Sequence, residues 1–263
     1  MTEHRAPGDA GADASDTGDV GDAGDDLMLA LLADARLPTG AHTQSGTLEP
    51  ALRRGLRPDQ VPDYLSARLR TVVRVEAAVA VVARHVVREL DESDRTGRLV
   101  DLWHEWEART PSRALRDSAV RLGRGQQRLL AGLWPAHPGT RALTEATLRR
   151  RAEPGRTDAR NVHPPRALVV GVTAACAGLS ARQTARLVAY DDVQSVAAAT
   201  LKLAPLDPVE TIRWVVDARS TIETLVAEVH DITDPARVPA SGAPLIEQWA
   251  EAHARTDERL FSA

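Results

Sequence analysis

Cysteine is almost missing from this chain: Cys176 is the only one in 263 residues. A lone cysteine forbids an intrachain disulfide and any cysteine-based zinc site. It falls in the apolar run 169–176, where nothing nearby would depress its pKa, so an inert core thiol is expected. Lysine is just as scarce, Lys202 standing alone among arginines. Aromatic residues make up only 3%, so the 43% hydrophobic content rests on Leu, Val and Ala. No run approaches the roughly 18 apolar residues that would span a membrane. The acidic N-terminus lacks the apolar stretch of a secretory signal. A cytoplasmic protein with no membrane association is expected.

Chemistry-bearing motifs are missing too. There is no glycine-rich phosphate loop, so a nucleotide bound through a P-loop or Rossmann turn is not expected. His104-Glu105-Trp106-Glu107-Ala108 begins like a zinc-protease helix, but Ala108 stands where the second histidine must be. Asp191 and Asp192 are adjacent, and on a helix they point about 100° apart, which suits a solvated face or arginine pairs rather than acid/base work. Ser45 and His42 lack a nucleophile elbow and an orienting acid. His42 and His163 are isolated histidines, more often caps or packed polar groups than ligands. No catalytic, cofactor-binding or metal-ligating residue is assigned, and the chain is not expected to be an enzyme.

Charge is unevenly placed. Residues 1–26 hold seven Asp and one Glu against one Arg, a net of −7. The whole chain carries −4, which leaves the body near +3, too weak a charge to argue for nucleic acid. The segment 1–26 is Gly, Ala and Asp with hardly a large apolar group, so a disordered tail is expected there. Residues 27–263 are then a single domain.

What is present is helical periodicity. Val61, Leu65, Leu69, Val72, Val73, Val79, Ala83, Val86, Val87 and Leu90 step at three and four, predicting one long helix. Leu99, Leu102, Trp103 and Trp106 begin another, and Leu115 to Leu133 a third. Gly123 and Gly125 lie inside that third helix at a cost of about 1 kcal/mol each, which points to close approach by another helix. Ser180 with Gln183 forms a capping box, and Asp207 before Pro208 caps a helix whose apolar stripe includes Ile212, Val215, Val216 and Ile222. Nothing alternates with period two between hairpin turns, so almost no sheet is expected. The fold class predicted is all-α, about ten helices.

The most specific stretch is 37–49, Leu-Pro-Thr-Gly-Ala-His-Thr-Gln-Ser-Gly-Thr-Leu-Glu. Pro38 fixes its own φ, Gly40 and Gly46 allow unusual backbone, and Glu49 falls in the first turn of the next helix, where the dipole favours an anion. The stretch resembles the opening segment of the urease accessory protein UreF family, which reads LPTGG(F/H)xHSGGLE. Residues 112–123, with Arg116, Ser118 and Gly123 in matching places, resemble a second family segment. His163-Pro164 and the small-residue helix after it resemble a third. Residues 195–206, with Lys202 at the basic position, resemble a fourth, and the closing Arg259-Leu260-Phe261-Ser262 resembles the family's end. Ala41 and Thr47 depart from the family pattern by replacing glycines and losing easy access to positive φ. Leu206-Asp207-Pro208 departs where the family has LGQ.

The resemblance implies an all-helical homodimer with no chemistry of its own, acting as a chaperone-like scaffold in nickel insertion. It implies contact with UreD (also called UreH), with the nickel-carrying GTPase UreG, and with the urease apoprotein. No stably bound cofactor is implied; nickel would be cargo in transit. Carried over residue by residue, Pro38, Thr39, Gly40, His42, Ser45 and Glu49 would contact UreD with help from Leu260 and Phe261. Arg116 and Lys202 would have GTPase-facing or fidelity roles. Two rivals remain at this point. One is a helical ligand-binding or regulatory module with arginines around a small anion. The other is a helical enzyme using Glu49, His42 or Asp191.

Overall fold

The computed structural model describes residues 19–40, 43–154, 161–256 and 260–261, with side chains from residue 26 onward. Among them are twelve α-helices and no strand. They are α1 (Asp19–Leu32), α2 (Leu48–Arg53), α3 (Val61–Arg70), α4 (Val72–Glu89), α5 (Glu92–Arg109), α6 (Arg113–Leu133), α7 (Pro138–Arg151), α8 (Arg166–Cys176), α9 (Ala181–Leu203), α10 (Pro208–Asp217), α11 (Arg219–Val229) and α12 (Pro244–Ala254).

The count exceeds ten because two expected helices are each divided. The stripe from Val61 to Leu90 breaks at Thr71, whose φ of −124° and ψ of −95° leave the helical region. The Thr71 hydroxyl donates back to the Ala67 carbonyl at 2.7 Å, the local bond by which threonine competes with the helix ladder. The helix from Pro208 divides at Ala218 into α10 and α11. The division re-aims the apolar stripe. Ile222, Leu225, Val226 and Val229 of α11 are buried, but Ile212 and Val216 are exposed, and Thr211 and Trp214 face inward on α10 instead.

Helix ends follow the chain's own signals. The Ser180 side chain accepts the Gln183 amide and Gln183 returns the bond to the Ser180 amide, completing the capping box. Asp207 accepts the Val209 amide at 2.8 Å. The tail expected over 1–26 meets the structure only at its end: the α1 backbone already begins at Asp19, and residues 1–18 lie outside the described residues.

α4 is the centre of the molecule. Its buried residues, among them Val73, Ala77, Ala80, Val81 and Val87, occupy most of its circumference, as a helix enclosed by others requires. It packs on α8, α9 and α5. α8 approaches it so closely that a Cβ at Gly171 would collide with the Ala80 carbonyl oxygen. The glycines of α6 serve a related purpose, but their neighbours are loops rather than a helix. A Cβ at Gly123 would run into the Pro164 carbonyl, and one at Gly125 into the Thr39 carbonyl. Thus α6 seats the opening segment in one notch and the His163-Pro164 segment in the other.

Candidate functional site

The opening segment is a built structure rather than a connector. Gly40 and Gly46 have φ of +82° and +57°, in the left-handed region. The amide and hydroxyl of Thr43 both donate to the Gly40 carbonyl, at 3.0 and 2.8 Å. Thr47 also has positive φ, +66°, and is buried. Losing a glycine here did not remove the left-handed backbone; it left a β-substituted residue in it, at a cost of about 1–2 kcal/mol. Neighbours enforce the shape: the Tyr64 hydroxyl donates to the Gly46 carbonyl at 2.5 Å, and Ser118 donates to the Gln44 side chain at 3.0 Å.

Glu49 sits in the first turn of α2, as the sequence suggests, but its partners are far away in the chain. Its side chain is 1% exposed. One carboxylate oxygen accepts the Leu260 amide at 2.8 Å and the other the Phe261 amide at 2.9 Å. Arg53 stands 2.9 Å from it, one turn along α2, and His253 of α12 lies 3.9 Å away. His253 in turn meets the Phe261 carbonyl at 3.2 Å. Charge-assisted bonds from several donors are what a buried carboxylate needs to remain in place. Ser45 completes the set by accepting the Glu49 amide at 3.3 Å. Above it, the Lys202 ammonium stands 5.2 Å from the centroid of the buried Phe261 ring.

Five of the residues picked out from sequence therefore converge: Ser45, Glu49, Lys202, Leu260 and Phe261. They divide by exposure. Pro38, Lys202 and Leu260 face solvent, while Thr39, Ser45, Glu49 and Phe261 are buried beneath. His42 lies outside the described residues. Arg116 is used at the α5–α6 corner, where it donates to the carbonyls of Thr110 at 2.6 Å and Pro111 at 2.8 Å. Its partners are carbonyls rather than the intrahelical acid that is the plain alternative for an arginine on a helix. Gln44, Tyr64 and His253 were not singled out from sequence. Nothing in their own neighbourhoods marks them, because each acts on a residue from another element.

Behind the opening segment a cavity of about 110 Å³ is lined by charge. Arg68 grips Asp192 through two bonds of 2.9 and 2.5 Å, and Arg166 pairs with Asp191. The two aspartates each have an arginine, as one reading of the pair expects, though both arginines come from other helices. Burial is the largest single effect and opposes the charge on Arg68, but Asp192 and Tyr64 together hold the guanidinium above its usual range. Glu76 also lines the cavity and accepts the Trp106 indole N–H at 2.7 Å. Burial pushes the Glu76 carboxyl up, against that hydrogen bond. Burial likewise pushes the Tyr64 phenol up to about 12. The Arg68–Asp192 pair ties α3 to α9, the Arg166–Asp191 pair ties α8 to α9, and Arg68 Nη1 is left buried without a hydrogen-bond partner.

Cys176 is half-buried, 3.1 Å from His137 Nδ1, and burial pushes its thiol up to about 11, so it is not a ready nucleophile. His104 pairs with Glu153 and meets Arg150, in a surface network between α5 and α7. Among the described residues no three His, Cys, Asp or Glu side chains are grouped to hold a metal ion. No described helix is long and apolar enough to cross a membrane.

The fold is all-helical among the described residues, with its opening segment locked to residues 260–261. A model of the UreF family matches residues 57–219, and the chain belongs to that family. It is 31% identical to the urease accessory protein UreF of Mycobacterium marinum over 242 residues, covering 90% of this chain and 98% of that protein. Identity to the protein of the same name from a Mycobacterium species (strain JLS) is 30% over 241 residues, 89% of this chain and 97% of that one. For the Mycobacterium bovis protein it is 29% over 239 residues, 89% and 95% of the two chains.

Proposed function

We propose that this chain is a urease accessory protein: a scaffold without catalysis of its own that assists nickel insertion. It bridges UreD/UreH and the GTPase UreG while the urease apoprotein is matured. The observation that carries this reading is the shared carboxylate of Glu49, which makes the opening segment and the residues at 260–261 one surface. Pro38, Gly40 and Leu260 supply contacts on that surface for UreD, and His42, outside the described residues, is assigned to the same partner by the family resemblance alone. Thr39, Ser45, Glu49 and Phe261 act from below by holding its shape. Arg116, through the α5–α6 corner, and Lys202 contribute to a GTPase-facing or fidelity role. Nickel is cargo in this scheme, and the work is done in the cytoplasm.

The scaffold acts as a homodimer. Val209, Ile212 and Val216 follow one another along α10 with 62%, 53% and 64% of their surface exposed, an apolar strip that a second copy would cover. The direct experiment is co-expression of the tagged full chain with UreD and UreG. Both partners should co-purify with it, and urease should fail to mature in cells that lack it. If neither partner is retained while urease activates normally without this chain, the scaffold reading is wrong.

A further inference from the structure

A second cavity, of about 340 Å³, lies between α6 and α7, and the docking surface makes no use of it. Its polar wall consists of Arg124, Gln127 and Arg128 from α6, Thr140 and Thr144 from α7, and His163 from the segment before α8. No carboxylate lines it. Arg124 and Arg128 are one helical turn apart and so share a face of α6. Neither has an ion pair or side-chain hydrogen bond among the described residues.

One buried polar atom in this wall also lacks a hydrogen-bond partner, His163 Nδ1. Thr140 is 7% exposed and its hydroxyl is engaged by the Cys176 thiol. His163 is held in position on both sides. Arg151 donates to the neighbouring Val162 carbonyl at 3.1 Å, and the Pro164 carbonyl fills the notch at Gly123. Burial pushes the His163 imidazole down, and the nearby Arg124 and Arg151 push it further, as uncompensated positive charge does.

Two unpaired guanidinium groups and one idle imidazole nitrogen suit a ligand with negative charge and several acceptor oxygens. The geometry points to a binding site for a small oxyanion of the phosphate class, held by Arg124 and Arg128 with His163 donating beside them. A neutral imidazole with its proton on Nδ1 is able to donate. The cavity is roomy enough that the anion is either free or carried as a phosphomonoester.

The test is calorimetric titration of the full chain, in chloride at constant ionic strength, with inorganic phosphate and with glycerol 3-phosphate in parallel. Saturable binding of phosphate alone identifies a free ion as the ligand. Binding of the monoester alone identifies a carried group, and binding of both identifies recognition of the oxyanion whatever carries it. Arg124→Gln and Arg128→Gln should each weaken binding about tenfold, the scale of a lost charge-assisted bond. Both replace exposed side chains, and their melting temperatures without phosphate should match the parent. In the parent, phosphate should shift the His163 imidazole resonances; in the double variant Arg124→Gln with Arg128→Gln it should not. Absence of saturable binding by either anion, or unchanged binding by both arginine variants, overturns the proposal.

Discussion

Glu49 and Phe261 are joined by a hydrogen bond of 2.9 Å, from the Phe261 amide to the Glu49 carboxylate, across 212 positions of sequence. The bond makes the first turn of α2 a receptor for the far end of the described chain. Everything proposed for the docking surface depends on it.

Replacing Glu49 with alanine would leave Arg53 and two backbone amides without their common acceptor. The expected loss is about 3 kcal/mol, the usual scale for breaking a buried charge cluster. Hydrogen exchange should show the amides of Leu260 and Phe261 losing protection well before the helices do. Unchanged protection at those amides would mean that Glu49 does not hold them.

Gly40 and Gly125 give a contrasting pair. A Cβ at Gly40 meets nothing within 4 Å, so Gly40→Val is penalised only through its backbone, by about 1–2 kcal/mol, and the protein should fold. Gly125→Ala instead drives a methyl group into the Thr39 carbonyl and must displace the segment, at about 1–3 kcal/mol. Both should weaken UreD capture in a pull-down, although Gly125 is not on the docking surface. Full capture by a folded Gly125→Ala protein would separate the notch from docking.

The half-buried Glu76 predicts a pH effect of definite sign. Its folded pKa is raised above the unfolded value, so the folded protein binds the proton more tightly. The group contributes stability below the ordinary carboxylate range, and that contribution is lost as pH rises through the folded pKa. Glu76→Gln should therefore match the parent most closely near pH 4 and gain on it as pH rises, levelling once the folded carboxyl ionises. Denaturant melts of both proteins at several pH values would show this, and a difference constant with pH would refute it.

Placing aspartate at both Ile212 and Val216 tests the apolar strip on α10. Light scattering after gel filtration should show a dimer for the parent and a monomer for the double variant. Thermal stability of the monomer should be nearly unchanged, because both side chains are exposed in one copy.

Legibility in the sequence followed the range of the interaction. Ser180 with Gln183, and Asp207 with Pro208, announce helix starts because all their partners lie within three residues. The break at Thr71 is hidden, since Val72 and Val73 carry the apolar stripe on without a proline or glycine to interrupt it. The exposure of Ile212 and Val216 is hidden for the same reason: the division at Ala218 has no breaker residue to mark it. Within the site, the left-handed turns at Gly40 and Gly46 are written locally. The destination of the Glu49 carboxylate is not, because periodicity places it on a helix and says nothing of backbone amides more than 200 residues later. Arg68, one arginine in a stripe of several, differs from the others only in finding Asp192 across the core.

The bond between Glu49 and residues 260–261 also inverts the order of assembly. Segment 37–49 leaves the ribosome long before residues 260–261, and until they are made its carboxylate has only Arg53 of its own helix beside it. Long-range closures of this kind form late, after the local helices have paid little loop entropy to form. The segment proposed to recognise a partner is thus withheld until the helical body exists to support it, and a half-made chain would not present it.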